Sequence, residues 1–365
     1  MKKVLHLLSG GGAGGIELLC EQIGLKGKED HEFCVLFDWG EIGDRMKKEG
    51  LKTYDYSELS RSLKLNGLKQ LVSKNRYDAI VVHHEGVGIY HLYLKLMKKF
   101  KGPQYIKYLH CSYEEKFFST GNKIKDMLHY KLLGDCLKRS DAVIAVSEYT
   151  KRSYVEEFGI PSDKIKVVYN GIEMPRENEV VTSDKEKETG LLYIGRLVDV
   201  KGVDVLIGAL GILAGESRTG NIHLDILGDG PARASLEQKS REKGLTDTVT
   251  FHGVVLEKDS FFRKAQIFVY PPVWQEAFGI SIIEAMSWGL LCVASRVGGI
   301  PEIITDESQG ILFEAGNAKA LAHALEKAID IAGSEKASEF ISASKQRAAS
   351  FSIEKSIEGL ERLLK

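Results

Sequence analysis

Residues 267–286 read IFVYPPVWQEAFGISIIEAM. Four apolar, strand-favouring residues end at Pro271-Pro272. A polar loop follows, and from Ile280 the apolar positions take helical spacing. A short, wholly apolar strand that feeds a loop and then a helix is one βα step of a parallel sheet covered on both faces. The step recurs outward in both directions. Apolar runs at 191–194, 223–227, 249–251, 291–294 and 311–313 alternate with helical patterns, and 318–331 and 335–365 read as a helical tail. Toward the start, runs at 4–8, 33–37, 79–82, 105–109 and 142–146 alternate with helical patterns such as 16–26, 63–74, 123–138 and 149–158. Residues 174–189, MPRENEVVTSDKEKET, break the rhythm: they are highly charged and lack a core face, and read as a linker. The expected architecture is α/β, with parallel-sheet domains at 1–173 and 190–350.

The 365 residues suffice for two such domains, and 43% hydrophobic content gives each a core. With 28% charged residues and a net charge of −1, the chain lacks the basic surface of a nucleic-acid binder. Cys20, Cys34, Cys111, Cys136 and Cys292 are widely spaced, form no C-x-x-C and read as free thiols in a reducing compartment. The short apolar run after Met1-Lys2-Lys3 reads as a first strand rather than a signal peptide, so a cytoplasmic protein is expected.

The first run ends in Ser9-Gly10-Gly11-Gly12-Ala13-Gly14-Gly15, and a helix begins near Ile16. Gly10, Gly12 and Gly15 fit G-x-G-x-x-G, and Asp38 closes the second run, where a ribose-binding acid stands in a dinucleotide fold. Backbone N–H groups and a helix N-terminus favour a diphosphate, whether of a dinucleotide or of a sugar nucleotide. This loop alone leaves both open.

In the second half, Gly195-Arg196 ends one strand and Lys201-Gly202 follows closely. Cations at a strand's carboxyl end lie where open α/β sheets bind ligands, and they hold phosphate as negative charge builds on it. Gly228 in LGDG and Gly253 in FHGV end two further strands, where a base or ribose approaches the backbone. In the stretch quoted above, Glu276 in the loop and Glu284 on the helix are separated by seven residues. Carboxylates accept hydrogen bonds from sugar hydroxyls, so two of them can hold two linked rings.

The ordered set resembles the signature of retaining GT-B glycosyltransferases, specifically glycosyltransferase family four. It comprises Gly11–Gly15, Asn170-Gly171-Ile172-Glu173, Gly195-Arg196, Lys201-Gly202, Leu227–Gly230, Phe251 and Gly253, Glu276 and Glu284, and Gly298-Gly299 with Pro301-Glu302. The resemblance spans nearly the whole chain. It implies two Rossmann-like, doubly wound domains facing across a cleft, with a C-terminal helix, 351–365, returning to the first domain. It assigns the acceptor to the first domain and the nucleotide sugar to the second.

Carried over residue by residue, the resemblance makes Arg196 and Lys201 the diphosphate clamp. Glu284 takes the ribose, and Glu276 the donor hexose. Phe278, Gly279 and Ile280 lend backbone N–H groups, and Gly195, Gly228 and Gly253 line the donor. Gly12, Gly14 and Gly15 approach the diphosphate from the first domain. His110 matches the family's cleft histidine, although Cys111 after it departs from the family's Gly or Asp. Retention of configuration is implied by the resemblance alone.

No D-x-D occurs, so no metal ion and no cofactor are expected, with Arg196 and Lys201 supplying the charge. The expected donor is a UDP-linked hexose or N-acetylhexosamine. The expected acceptor is a hydroxyl of a glycan or lipid-linked molecule in cell-surface polysaccharide synthesis. Phe117-Phe118 and Lys95, Lys98, Lys99, Lys101, Lys123, Lys125 and Lys131 are candidates for peripheral contact with the inner face of an anionic membrane. An NAD-dependent dehydrogenase, a GT-B sugar-nucleotide epimerase and a non-catalytic sensor are the competing readings. The dehydrogenase leaves Arg196, Lys201 and both glutamates without a role.

Overall fold

The structure, a computed structural model, describes residues 1–12, 14–114, 121–175, 189–215 and 222–365. Most of the expected linker (176–188), Ala13 and Phe117-Phe118 lie outside the described residues. The chain divides into two compact units, Met1–Gly171 with Ile353–Lys365, and Ile172–Ser352. The division falls a few residues from the expected limits at 173 and 350. Ile172 donates its N–H to the Phe351 carbonyl at 3.0 Å and forms a bridge with Ser352, so these crossing segments pair within the second unit.

The first unit holds strands β1 (Lys3–Gly10), β2 (Asp30–Asp38), β3 (Thr53–Asp55), β4 (Ala79–Val82), β5 (Gln104–Leu109), β6 (Ala142–Ala145) and β7 (Ile165–Val167). They form a parallel sheet in the order β3-β2-β1-β4-β5-β6-β7. Side chains alternate across the pleat. Leu5, Leu7, Cys34, Leu36, Ile80, Val82 and Leu109 share one face, packed with Leu68, Leu96 and Leu137 of the helices Arg61–Asn75, Val87–Lys99 and Lys123–Arg139. The opposite face carries Val4, Leu8, Phe33 and Val35, and with them His6, His31 and His83, all buried. The helix Gly15–Lys26 packs against the helix Ile353–Glu361, which belongs to this unit. Contacts from Lys2 Nζ to the Leu364 carbonyl (2.8 Å) and from Gln104 Nε2 to the Leu363 carbonyl (2.9 Å) fix the tail there.

The second unit holds β8 (Thr189–Ile194), β9 (Ile222–Leu227), β10 (Val249–Gly253), β11 (Ile267–Tyr270), β12 (Leu291–Ser295) and β13 (Ile311–Phe313). Their order is β10-β9-β8-β11-β12-β13, again parallel. β8 starts at Thr189, the last residue assigned to the linker from sequence. In both sheets the winding reverses beside the first strand, between β1 and β4 and between β8 and β11. Loops diverge at such a point and leave a crevice at the strands' carboxyl ends. All five cysteines are free, and Cys111 alone is not fully buried.

Candidate active site

The second unit concentrates charge at the β8/β11 crevice. After β8 the chain makes a short turn, Asp199–Lys201, and Gly202 enters the left-handed region at φ 66°. A Cβ on Gly202 would stand 1.9 Å from the Pro271 carbonyl oxygen, so only glycine lets this turn close onto the loop after β11. From the other side, a Cβ on Gly298 would stand 2.0 Å from the Glu276 carbonyl oxygen. The loop carrying Glu276 is thus gripped by two glycine turns. Gly299 N–H donates to the Glu276 carbonyl (2.7 Å), and Val273 N–H to the Val200 carbonyl (3.0 Å).

This grip brings three side chains together. Lys201 Nζ donates to the Tyr270 hydroxyl at 2.8 Å and is ion-paired with Glu276 Oε2, which also accepts from the Tyr270 hydroxyl at 2.8 Å. Burial, reinforced by the charge of Glu276, pushes the Tyr270 phenol well above its ordinary range, so it stays a donor. Lys201 and Glu276 keep 18% and 20% of their side chains exposed, enough for a ligand to reach both. Arg196 is exposed, and its guanidinium forms no hydrogen bond or ion pair among the described residues.

Glu284 lies on the helix Ile280–Trp288, and both its oxygens accept from Lys258 Nζ, at 2.8 and 2.9 Å. Gly195, Gly228 and Gly253 end adjacent strands. Gly195 N–H donates to the Leu227 carbonyl (3.0 Å) and Gly228 N–H to the Gly253 carbonyl (2.7 Å), so these two glycines form a floor rather than a set of free donors. The Phe278 side chain is buried, with its ring edge-on to Phe351 at 5.5 Å, which leaves only its backbone for a ligand. Gly279 caps the helix that starts at Ile280, whose first amides have no intrahelical carbonyl to bond.

In the first unit the glycine loop follows β1. Gly11 N–H donates to the Asp38 carbonyl (2.8 Å), and the Gly11 carbonyl accepts from Ile42 N–H (2.8 Å). Apart from its chain neighbours, none of the described residues lies within 4 Å of where a Cβ on Gly12 would stand, which marks it as the open point of the loop. Gly14 and Gly15 differ. A Cβ on Gly14 would meet the Glu17 carboxylate, and Gly15 is already the first helical residue. Glu17 is buried and pairs with His84 Nε2 at 3.1 Å, while His84 Nδ1 accepts from Ser9 N–H at 3.1 Å. That carboxylate disfavours a phosphate on the Gly14 side. His110, at the end of β5, is partly buried and stacks on Tyr108 at 4.3 Å. Its Nε2 lies 3.0 Å from His83 Nδ1. Burial, then Lys107 and His84, holds it well below the ordinary histidine range, so it is neutral.

Residues 175–347 match the family model of glycosyl transferases group 1, and residues 31–176 match that of glycosyltransferase family 4. The chain belongs to glycosyltransferase family four. An uncharacterised glycosyltransferase of Methanocaldococcus jannaschii is 24% identical to this family-four chain over 359 residues, 96% of the chain and 94% of the relative. Another from that organism is 34% identical over 203 residues, 51% of the chain and 50% of the relative, so the chain spans about half of its length. The Anabaena protein HepE, solved in complex with UDP, shares the fold with a TM-score of 0.83 at 20% identity over 99% of both chains. It has also been solved with UDP-glucose. These findings favour the glycosyltransferase reading of the chain over the dehydrogenase one.

The family-four signature in the sequence passes over four features of the site. Lys258 and Tyr270 each partner a signature glutamate, and Glu17 and His84 stand behind the glycine loop. His84 carries a readable signal: it follows β4 as His110 follows β5. The lysines proposed for a membrane divide. Lys98, Lys99 and Lys101 sit at the end of Val87–Lys99, ahead of β5, away from the strands' carboxyl ends. Lys123, Lys125 and Lys131 flank Ile124, Met127 and Leu128, which are 74%, 67% and 46% exposed on the helix that follows β5. Among the described residues, no helix is long and apolar enough to cross a membrane.

Proposed function

We propose that this glycosyltransferase moves a hexose or N-acetylhexosamine from a UDP-sugar to a hydroxyl of a glycan or lipid-linked acceptor, with retention of configuration and without a metal ion or cofactor. The observation that carries the reading is the Lys201–Tyr270–Glu276 cluster at the β8/β11 crevice. An ammonium has three donors, and two are committed to Tyr270 and Glu276, so one remains for a diphosphate oxygen. Arg196, whose guanidinium has no hydrogen bond or ion pair among the described residues, adds a planar fork. As the sugar–phosphate bond breaks, negative charge grows on the leaving UDP. Cations fixed in advance stabilise it most in the transition state.

Glu276 accepts from the hexose hydroxyls and Glu284 from the ribose. The backbone of Phe278, Gly279 and Ile280 meets the diphosphate at a helix N-terminus. Gly12 and His110 of the first unit act at the donor's diphosphate and sugar. The UDP and UDP-glucose complexes of HepE support a uridine nucleotide. The absence of D-x-D from the sequence, with two cations in its place, supports metal independence. The exposed Ile124, Met127 and Leu128 among lysines support contact with an anionic membrane that carries the acceptor.

Thermal shift against UDP, GDP, ADP and dTDP, followed by turnover of the best sugar nucleotide in excess EDTA, tests this reading. UDP is expected to give the largest shift and turnover to persist. A larger shift with GDP, or strict dependence on Mg²⁺ or Mn²⁺, overturns it. The anomeric configuration of the product, read by NMR, decides retention.

A further inference from the structure

Four histidines of the first unit form an unbroken chain. His31 Nδ1 lies 2.8 Å from His6 Nε2, His6 Nδ1 lies 2.8 Å from His83 Nε2, and His83 Nδ1 lies 3.0 Å from His110 Nε2. The outer end, His31 Nε2, meets Glu361 Oε1 at 3.2 Å. Strand register assembles the chain. His6 pairs with Phe33 and with Val81 across its two neighbouring strands, so His6, His31 and His83 share a face, and His110 continues that face on β5. The rings are held by stacking: His6 on Phe33 at 5.0 Å, His83 on His110 at 5.2 Å, and His110 on Tyr108 at 4.3 Å.

Each nitrogen pair in the chain is close enough to require one hydrogen between its members, and a neutral imidazole carries one N–H and one bare nitrogen. The direction of the chain is therefore all or none. Glu361 decides it. Its Oε1 already accepts from Lys28 N–H at 2.7 Å and Glu29 N–H at 3.2 Å, so it faces donors only. His31 must then carry its proton on Nε2 and accept on Nδ1. The same choice passes through His6 and His83 to His110, which donates from Nε2 and keeps Nδ1 bare. His110 Nδ1 has no partner among the described residues.

We propose that Glu361, on the C-terminal helix, acts through His31, His6 and His83 as a positioning residue that holds His110 in the Nε2–H form, so that His110 presents a hydrogen-bond acceptor to a hydroxyl of the donor sugar. The inference rests on the placement of His110 at that sugar given above. Burial keeps His6, His83 and His110 neutral, well below the ordinary histidine range, which is the state in which a single direction can propagate. The buried Lys107, whose Nζ donates to the His84 carbonyl at 3.1 Å and pairs with Glu85 at 2.9 Å, adds positive charge beside His83 and His110 and opposes their protonation.

Long-range ¹H–¹⁵N spectra of the full chain labelled with ¹⁵N-histidine report which ring nitrogen is bare, and a His110→Gln variant assigns the His110 signals. The wild type is expected to show His110 with Nδ1 bare. Glu361→Met removes the terminal acceptor, and His31→Leu cuts the chain while leaving Glu361 on the Lys28 and Glu29 amides. In both, the Nδ1–H form of His110 should appear, and kcat should fall roughly three- to tenfold, the size of one lost hydrogen bond, with UDP affinity unchanged. Glu361→Gln keeps an accepting oxygen and should restore both spectrum and rate.

An Nδ1–H His110 in the wild type, or an unchanged His110 in both disruptive variants, overturns the proposal. So does one bound metal ion per chain in the purified protein, because His6, Cys20 and His83 place ligand atoms within 4.8 Å of one another and a metal would replace the proton between the two rings. If the tautomer changes and the rate does not, control by Glu361 stands, and the placement of His110 at the sugar falls.

Discussion

Replacing Glu284 by Gln separates the nucleotide's affinity from every unknown of the acceptor, because free UDP suffices as the ligand. A carboxylate offers about four lone-pair sites. Lys258 Nζ occupies one on each oxygen, at 2.8 and 2.9 Å, and the remaining sites are available to ribose hydroxyls. Gln keeps the shape and one accepting oxygen but loses the charge. A hydrogen bond to a charged group contributes about 1.5–3 kcal/mol, so UDP should bind roughly ten- to hundredfold more weakly, as read by isothermal titration.

Lys258→Met is the control. It leaves the Glu284 side chain, 27% exposed, in contact with water and removes only the group that orients it. The expected loss is about two- to fivefold, within the range of partly exposed ion pairs. Combined with Glu284→Gln it should add little, because Lys258 acts through Glu284. Glu276→Gln should leave UDP affinity unchanged and lower turnover, since free UDP lacks the hexose. UDP affinity within twofold of wild type for Glu284→Gln would refute the ribose assignment. A Lys258→Met loss as large as that of Glu284→Gln would mean that the lysine itself reaches the nucleotide.

Lys201→Ala and Arg196→Ala should each lower turnover roughly 10²–10³-fold with the fold retained, and near wild-type initial rates in both would dissolve the phosphate clamp. Gly202→Ala forces a left-handed φ of 66° and a Cβ 1.9 Å from a carbonyl oxygen. It should destabilise the second unit by about 2–4 kcal/mol, a drop of roughly 5–15 °C in Tm, and an unchanged melting curve would contradict the glycine grip. The neutral His6, His83 and His110, the first two buried and the third partly so, have folded pKa values depressed below the unfolded one. Below about pH 6.5 the unfolded chain binds protons that the folded chain refuses. Stability should therefore fall as pH drops from 7 to 5, by up to about 1.4 kcal/mol per pH unit for each histidine, and urea midpoints that stay flat over that range would refute it.

What the sequence revealed was local. A strand that runs into a glycine turn and a helix is legible within some fifteen residues, so β1, β8 and β11 and their loops stand where the motifs put them. β3 and β7 read TYD and IKV and lack the wholly apolar run by which the equally short β13, ILF, is legible, and neighbouring strands create them. The pairings at the site were not legible either. Lys258 and Glu284 lie 26 positions apart on loop and helix, and Lys201 and Glu276 lie 75 apart. Each is ordinary in its own window, and only adjacency in the sheet joins them. The histidine chain is the extreme case: His6 and His31 on β1 and β2, and His83 and His110 just past the ends of β4 and β5, are single residues aligned by register alone.

The tail of the chain sets an order of assembly. The first unit is discontinuous, because Ile353–Lys365 completes the layer over the histidine face, whereas the second unit is one uninterrupted stretch, Ile172–Ser352. On a ribosome the residues that complete the first unit are therefore made only after the whole of the second unit. Until the last helix emerges, the nascent first unit presents its buried imidazoles and an incomplete apolar layer, which is the kind of surface that chaperones bind.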